Sequence, residues 1–522
     1  MALGKKAVLL HCPAVSNIIP EMRPLVLNGR DLTRSDFYDV VFDGRLVRLA
    51  PPAKNKLIRS RRLIEKMLAE HRVVYGVTTG FGKLADQKIP DDDLRQLQVN
   101  LVRSHACGIG SPLSEPQTRG IILLRANVLA SGYSGVRPVV VERLIEILNR
   151  SVCPLIPSRG SVGASGDLIP LAHLAQLLIG EGSALVKGKI VPGGRVLRSN
   201  RIAPIVLEAK EGLALVNGTQ AALSLGLLSL RAAERLAESA DVAGAMSIEA
   251  LMGTPAAFDP RIQRLRPYPG QQEVARRIRA LLAKSEIRAS HISCNRVQDP
   301  YSLRCMPQVH GAVRDAIDHV RTVLTTEMNS VTDNPLVFAE EGEVIAGGNF
   351  HGHPIALVLD FLAIALTQLG TISERRIAQL VDPALIDLPR FLTRRPGLHS
   401  GLMMPQVAAA ALVSECKVLA HPASVDSIPT SANQEDYVSM AMGAALKLDQ
   451  IVSNVTAVLA IELIAAAQGV DFHAPLQPGK GVAEAIKRLR SKIPPLEEDR
   501  SLHEEIKEVC QLIGDGFFVF RD

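Results

Sequence analysis

The chain has 522 residues, more than one hydrophobic core usually supports, so we expect two or more structural regions or one elongated core. Hydrophobic residues make up 47% of the chain, which excludes a disordered protein, whereas aromatic residues make up only 3% and tryptophan is absent. This composition favours long packed helices over a β-sandwich, and a net charge of +6 without a basic block argues against nucleic-acid binding.

The cysteines and the apolar stretches bear on the compartment of the protein. The seven cysteines are odd in number and widely spaced, without a C-x-x-C motif, which argues against disulfides and zinc and predicts a cytoplasmic protein without a bound metal. The apolar run at 7–10 is too short for a signal peptide. The stretches around 355–372 and 451–470 contain charged side chains, so we interpret them as buried bundle helices and expect no membrane partner.

The first 50 residues mix short apolar runs with turn signals such as Asn28-Gly29 and Asp43-Gly44. We therefore expect a small N-terminal region with little regular core. Helices are predicted next at about 55–70 and 94–104, and the second leads to Ser104-His105.

The middle of the chain predicts long helices. One apolar face is predicted over 305–331, where intervals of three or four residues separate Val309, Val313, Ile317, Val320, Leu324 and Met328. Residues 355–379 and 438–468 are apolar almost all round. Because such helices must be covered by other protein, we predict a central bundle closed by neighbouring subunits.

These patterns divide the chain into three regions. An N-terminal region is predicted over 1–215, a long-helix bundle over 216–475 and a charged helical tail over 476–522. Loops rich in glycine and asparagine are expected to carry the function, and they span 75–82, 158–167, 216–218, 346–353 and 427–436.

One of these loops, Gly160-Ser161-Val162-Gly163-Ala164-Ser165-Gly166-Asp167-Leu168-Ile169-Pro170, crowds small residues just before a predicted helix. It can be a turn with a helix cap. It can also hold a nucleophilic serine, although the G-x-S-x-G spacing of a nucleophile elbow is missing.

A third interpretation comes from resemblance, because GSVGASGDLIPLAHLAQLLIGEG is similar to the signature of the histidine and phenylalanine ammonia-lyases. In that family Ala-Ser-Gly cyclises and loses water to form methylidene-imidazolone, an electrophilic prosthetic group. The resemblance implies that Ala164, Ser165 and Gly166 form it here, without an external cofactor. A side chain on Gly166 would obstruct the cyclisation, and helix N-terminal amides can stabilise negative charge on the ring.

Other segments follow in the order of the family, from about 75 to 440. The similar motifs are Tyr75-Gly-Val-Thr-Thr-Gly, Ser104-His105, Val216-Asn217-Gly218, Gln298-Asp-Pro-Tyr301-Ser-Leu-Arg304, Gly348-Asn349-Phe350 and Asn433-Gln434-Glu435. The resemblance implies a mainly α fold, the long-helix bundle of the aspartase and fumarase superfamily with a smaller N-terminal region. It also implies a homotetramer in which three chains build each active site.

The resemblance also assigns roles. Tyr75 would be the base that removes the β-proton, Arg304 would bind the substrate carboxylate, and Tyr301 and Asn217 would orient the electrophile and the substrate. Each can instead be an ordinary packed or surface residue. Gln298 is a further candidate for substrate binding.

Phe350 is a candidate at the same site, with a core residue as the alternative. His105 and Glu435 would face the substrate side chain, where the two nitrogens of an imidazole need partners. A solvated glutamate at a helix start is the alternative for Glu435.

Three departures from the histidine pattern, Thr78, Met306 and Tyr437, leave the substrate open. The main prediction is an ammonia-lyase that converts L-histidine to trans-urocanate and ammonia. A tyrosine ammonia-lyase or tyrosine 2,3-aminomutase is the alternative within the family. An inactive helical scaffold or binding protein is the alternative outside it, and an unmodified mass would favour that alternative.

Overall fold

A computed structural model describes residues 22–292, 296–382 and 388–519. These ranges contain 19 α-helices and nine short strands, which confirms the prediction of a mainly α chain.

Short helices and strands form the N-terminal region. Its helices are α1 (Arg34–Phe42), α2 (Pro51–Ala69), α3 (Leu94–His105), α4 (Glu115–Ala130), α5 (Pro138–Asn149), α6 (Leu168–Leu178), α7 (Gly193–Ser199) and α8 (Glu211–Val216). Its strands are β1 (Leu25–Leu27), β2 (Val47–Leu49), β3 (Ile109–Pro112), β4 (Cys153–Pro154), β5 (Pro157–Arg159), β6 (Ser183–Val186) and β7 (Lys189–Pro192). Strands β1 and β2 pair in parallel, whereas β3–β5 and the sheet β4-β6-β7 are antiparallel.

The expectation of little regular core in the first 50 residues is wrong for the part that is described. Helix α1 begins with a capping box, in which Thr33 and Asp36 satisfy each other's backbone amides. Its apolar face buries Phe37, Val40 and Val41 completely or almost completely in the main core. These three side chains therefore join this region to the rest of the molecule.

The long helices form the centre of the molecule. This region contains α9 (Gln220–Ala250), α10 (Pro260–Arg264), α11 (Pro269–Leu281), α12 (Glu286–Ala289), α13 (Tyr301–Arg304), α14 (Met306–Met328), α15 (His353–Val381), α16 (Met403–Leu419) and α17 (Ala441–Asp471). An antiparallel hairpin of β8 (Leu336–Phe338) and β9 (Glu343–Ile345) lies between α14 and α15. Helices α9, α14, α15 and α17 pack against one another as a bundle.

The predicted apolar face of α14 is confirmed, since Val313, Ile317, Val320, Leu324 and Met328 are all buried. Val309, the first residue of that face, is half-buried and packs against the same core.

Helices α15 and α17 are long and apolar enough to cross a membrane, by length and composition alone. Their most apolar windows are 67% and 72% buried inside the protein, as expected for core helices of a bundle. Helix α15 nevertheless leaves Leu357, Phe361 and Ile364 exposed along one face.

The C-terminal tail folds back on the bundle. It consists of α18 (Lys480–Arg490) and α19 (His503–Asp515), both of which contact α9. The main hydrophobic cluster extends from Leu25 to Phe518 and includes residues of all three predicted regions. The division at 215 and 475 stays a prediction.

The direction of α14 determines which loops meet. Near its C-terminal end, the Thr219 hydroxyl donates to Glu327 Oε1 at 2.6 Å, so this end lies beside the start of α9. Helix α13 lies directly before the N-terminal end of α14. Since α14 has 23 residues, it separates these two places by about 34 Å.

Candidate active site

The Ala164-Ser165-Gly166 segment forms a tight turn. Gly163 and Gly166 both have φ of +73° and are joined by a backbone bridge, which closes the turn around the two residues between them. A Cβ on Gly166 would lie 2.2 Å from the Gly218 carbonyl oxygen, so only glycine fits at this position. The geometry suits a backbone cyclisation between Ala164 and Gly166.

The turn is docked on the segment that begins α9. The Gly218 amide donates to the Ser165 carbonyl at 3.3 Å, and the Asp167 amide donates to the Gly218 carbonyl at 2.6 Å. The Asp167 carboxylate accepts from the Ala222 amide at 2.8 Å and thereby caps α9. Burial raises the pKa of this carboxyl group to about 7, although its hydrogen bonds to backbone amides oppose the shift.

The segment before α17 holds the turn from the other side. The Met440 amide donates to the Val162 carbonyl at 2.8 Å, and the Ser439 hydroxyl donates to the Gly163 carbonyl at 3.1 Å. The starts of α9 and α17 therefore clamp the turn between them.

Glu435 contacts the turn directly. Its Oε1 atom accepts from the Ser165 hydroxyl at 3.3 Å, and its Oε2 atom accepts from the Thr430 hydroxyl at 2.7 Å. Glu435 is half-buried in a loop, and α17 begins only at Ala441, so it is not a solvated glutamate at a helix start. The structure brings this predicted residue to Ser165, closer to the electrophile segment than the prediction of a side-chain pocket implied.

His105 lies at the C-terminal end of α3, within electrostatic reach of Glu435. Its Nδ1 atom is 2.9 Å from the Leu101 carbonyl oxygen, which can only accept, so Nδ1 carries the proton in this contact. Burial lowers the pKa of His105, while the Leu101 carbonyl and Glu435 act in the opposite direction. The neutral ring therefore offers Nε2 as an acceptor.

The Tyr75 loop lies at the same end of the molecule. The Tyr75 hydroxyl accepts from the Gly82 amide at 3.2 Å, and the turn at Gly82–Leu84 packs against Ser431–Asn433, four residues before Tyr437. Gly76 has φ of +67°, and a Cβ there would meet Leu213 on α8 at 2.4 Å. Arg304 of the same chain lies at the other end of α14 and is therefore not beside Tyr75.

Two of the three departures from the histidine pattern are explained by packing. The Thr78 hydroxyl donates to the Arg72 carbonyl at 3.0 Å and accepts from the Val74 amide at 2.9 Å, inside its own loop. Met306 is fully buried in the bundle. Tyr437, by contrast, is 58% exposed. Of the three, only Tyr437 is open to a substrate in this chain.

Asn217 is buried and is held by residues that the sequence did not indicate. Its Nδ2 group donates to Asp333 Oδ1 at 3.3 Å and to the Asn334 carbonyl at 3.1 Å. Asp333 forms an ion pair with Lys210 at 2.9 Å, and both side chains are fully buried. No local pattern joins Lys210 to a residue 123 positions later in the chain.

The predicted carboxylate-binding residues form a second group. The Arg304 guanidinium lies 4.6 Å from the centre of the Tyr301 ring, and Tyr301 is 70% exposed. Gln298 is exposed in the segment before them. This group lies at the far end of α14 from Ser165, so the structure does not bring the two groups together within one chain.

Phe350 lies at the end that holds Ser165. It is half-buried two residues before Gly352, where a Cβ would lie 3.0 Å from the Ala441 side chain. Phe350 is therefore not fully buried in the core.

The first group places a phenol, an imidazole, a carboxylate and an amide at the end of the molecule that holds the glycine-flanked turn, and these groups are suited to proton transfer and hydrogen bonding. The second group offers a half-buried guanidinium beside an exposed tyrosine ring, which suits an anionic carboxylate. Within the described ranges, no group of three or more His, Cys, Asp or Glu side chains could hold a metal ion.

The chain is similar to several known proteins. The profile of a family described as aromatic amino acid lyase matches residues 32–491. A histidine ammonia-lyase of Anaeromyxobacter sp. (strain K) is 54% identical over 504 residues, which cover 95% of this chain and 99% of the relative. The crystal structure of a histidine ammonia-lyase from Trypanosoma cruzi is 43% identical with a TM-score of 0.88, covering 95% of this chain and 94% of that one. A tyrosine aminomutase from Streptomyces globisporus is 37% identical with a TM-score of 0.89, covering 95% and 98%.

Proposed function

The chain belongs to the aromatic amino acid lyase family, and from that premise we propose that it is an ammonia-lyase that converts L-histidine to trans-urocanate and ammonia. The observation that carries the proposal is the hydrogen bond from the Ser165 hydroxyl to Glu435 at 3.3 Å, with His105 within electrostatic reach of the same carboxylate. The names of the relatives at about 54% identity support the same substrate.

We further propose that Ala164, Ser165 and Gly166 mature into methylidene-imidazolone. The positive φ of Gly163 and Gly166 and the close approach of Gly218 support this, because they hold the turn in a shape that other residues would not adopt. The group supplies an electrophilic carbon that activates the amino acid for loss of ammonia.

The side chains of the protein perform the remaining tasks. Tyr75 accepts the β-proton, and the Gly82 amide holds its hydroxyl group in place. Arg304 binds the substrate carboxylate through its planar guanidinium, with Tyr301 stacked beside it. His105 accepts a hydrogen bond from one N–H of the substrate imidazole through Nε2. Without this acceptor, that N–H would be unpaired in a buried site.

We propose a homotetramer with active sites shared between chains. The length of α14 supports it, because Arg304 lies before one end of this helix and the Ser165 turn lies near the other, and the two ends are about 34 Å apart, far more than a small amino acid spans. The exposed apolar face of α15 at Leu357, Phe361 and Ile364 also supports it, since a second chain would cover that face.

Two further proposals concern the alternative substrate and the cellular location. A tyrosine ammonia-lyase or tyrosine 2,3-aminomutase remains the second candidate, supported by exposed Tyr437 and by the likeness to a tyrosine aminomutase. A cytoplasmic location is supported by the five cysteines of the described ranges, which are all unpaired.

A product assay and an intact mass test these proposals together. Purified protein is incubated with L-histidine, L-tyrosine and L-phenylalanine in parallel, and ammonia and the conjugated acid are measured. We expect urocanate from histidine alone and a chain lighter than the encoded sequence by about two water molecules. Coumarate or a β-amino acid formed from tyrosine would show that tyrosine, and not histidine, is the substrate. An unmodified mass without any product would favour the inactive scaffold.

A further inference from the structure

A buried ion pair lies directly behind Asn217. Lys210 Nζ and Asp333 Oδ2 are 2.9 Å apart, and both side chains are completely buried. The second oxygen of Asp333 accepts from Asn217 Nδ2 at 3.3 Å. The ion pair therefore contacts the asparagine next to Gly218, whose amide donates to the Ser165 carbonyl.

This contact decides which end of the Asn217 amide points where. Both partners of Nδ2, the Asp333 carboxylate and the Asn334 carbonyl, are acceptors that cannot donate. A flipped amide would place its oxygen against two other oxygens, one of them charged, so the observed orientation is enforced. The Arg125 guanidinium fixes the backbone as well, because it donates to the Asn217 carbonyl at 2.6 Å.

The other end of the amide is left unused within the chain. Asn217 Oδ1 is buried, yet among the described residues it has no hydrogen-bond partner. A buried acceptor without a donor is destabilising, and this one lies beside the Ser165 turn, so we expect it to receive a donor from a ligand there. Every amino-acid substrate brings such a donor in its amino group, and His105 accepts the imidazole N–H in the proposed function.

We propose that Lys210 and Asp333 are positioning residues that hold the Asn217 amide with Oδ1 free to accept a hydrogen bond from the substrate's amino group. This inference rests on the proposed function, since it concerns the same site. Asp333 acts through Asn217, and Lys210 acts through Asp333.

The ion pair joins two segments that are distant in the chain. Lys210 directly precedes α8 and has φ of +76°, a left-handed conformation that residues other than glycine rarely adopt. Asp333 follows α14. A residue in this conformation must be held by its surroundings, and the ion pair provides one such contact. The ion pair therefore fixes the start of α8 relative to Asn217, which follows the last residue of the same helix.

The test is a double-mutant cycle on the assembled enzyme, with Asp333→Asn, Asn217→Ala and the double variant. We expect each single change to lower kcat/KM for the amino acid about 10- to 100-fold, the value of one hydrogen bond to a charged group. The kcat/KM of the double variant should be no lower than that of the less active single variant, because both changes remove the same contact. Additive losses would overturn the proposal.

A substrate analogue without the amino group provides the second measurement. Its inhibition constant should change less than about threefold in Asn217→Ala, since the analogue offers no donor to Oδ1. Equal weakening of substrate and analogue would contradict the proposal. Asn217→Ala leaves the ion pair intact, so this measurement decides the matter even if Asp333→Asn fails to fold.

Asp241→Asn is the matched control. Asp241 is also a fully buried carboxylate, paired with Arg277 and Arg314, but it lies within α9 and away from Asn217. Its effect should add to that of Asn217→Ala.

Intact masses of all variants check the turn itself. An Asp333→Asn chain of unmodified mass would assign the ion pair to the cyclisation and would overturn the positioning role. A wild type that releases no ammonia would refute the proposed function and this inference with it, whereas an active wild type with additive variants would refute the inference alone.

Discussion

The Asp167 carboxyl group gives the folded protein a specific pH dependence. Its pKa is raised from 3.8 to about 7 by burial, so the folded state binds this proton more tightly than the unfolded state. The contribution of this proton to the free energy of unfolding is fully present below pH 3.8 and is lost as the pH rises towards 7.

We therefore expect Asp167→Asn to gain thermal stability relative to wild type as the pH rises from about 4 to 7, with no further change above. The amide keeps an oxygen that can cap α9 at Ala222. Thermal melts of both proteins across this range measure the difference. A constant difference would show that Asp167 does not carry the titration.

A second dependence at the residue scale concerns His105. Burial lowers its pKa below the ordinary value of 6.5, so the ring is neutral at neutral pH and Nε2 can accept. Protonation turns that acceptor into a donor. We expect kcat/KM for histidine to fall on the acidic side of pH 6.5.

In His105→Asn, the acidic limb of the kcat/KM profile should move, and the activity at neutral pH should fall about tenfold or more for the lost hydrogen bond. Tyr437→Phe is a matched control, because it changes an exposed side chain two residues after Glu435 and leaves His105 in place. A limb that stays in place in His105→Asn would assign the titration to another group.

Among the elements, the turn before Glu435 carries strain. Ser431, Ala432 and Asn433 have φ of +50°, +50° and +63°, three successive residues in the left-handed region. Such a conformation costs about 1–2 kcal/mol for a residue with a Cβ. The hydrogen bonds that Glu435 accepts from Thr430 and Ser165 hold the turn in this conformation.

Ala432→Gly should relieve this strain and raise the free energy of unfolding by about 0.5–1 kcal/mol, after the extra entropy of glycine in the unfolded chain. Ala408→Gly on α16 is the control, and it should lower stability by about 1 kcal/mol because the helix is regular there. Melts of the two variants against wild type measure both effects. If both variants lose stability, the turn is not strained.

The elements also show how far sequence reasoning reaches. Periodicity predicted α14 and its buried face, and the motifs predicted Tyr75 and the Ala164-Ser165-Gly166 turn at positions that the structure brings to one end of the molecule. The predicted family and its mainly α fold are confirmed. These features depend on neighbours in the chain, where spacing alone determines which side chains share a face.

Contacts between distant segments could not be predicted in this way. The pairing of Lys210 with Asp333 depends on how α8 meets the end of α14, and no local pattern records it. The left-handed residues at 431–433 include no glycine to mark them. The placement of Arg304 at the opposite end of α14 from Ser165 follows from the direction of one helix, which the sequence motifs do not contain.

For the whole molecule, a shared active site predicts complementation between inactive chains. Ser165→Ala lacks the residue whose dehydration we propose, and Arg304→Ala lacks the guanidinium, so each should be inactive alone. Coexpressed chains should form mixed oligomers in which about one quarter of the sites combine an intact half from each variant. Ammonia release from the coexpressed protein measures this recovery.

The parent variants, mixed only after separate purification, are the control for assembly. Recovery to about a quarter of the wild-type rate would support sites built between chains. Activity no higher than that of the parents would place both halves of each site in one chain, which the length of α14 does not allow without a large rearrangement.

The distance along α14 also has a genetic consequence. A chain that assembles but contributes nothing to any site disables the sites of its neighbours as well as its own. If three chains build each site, equal expression of such a chain with the normal one leaves about one eighth of the sites intact, and not one half. An allele of this kind would behave as partly dominant, whereas an allele whose product fails to assemble would be recessive.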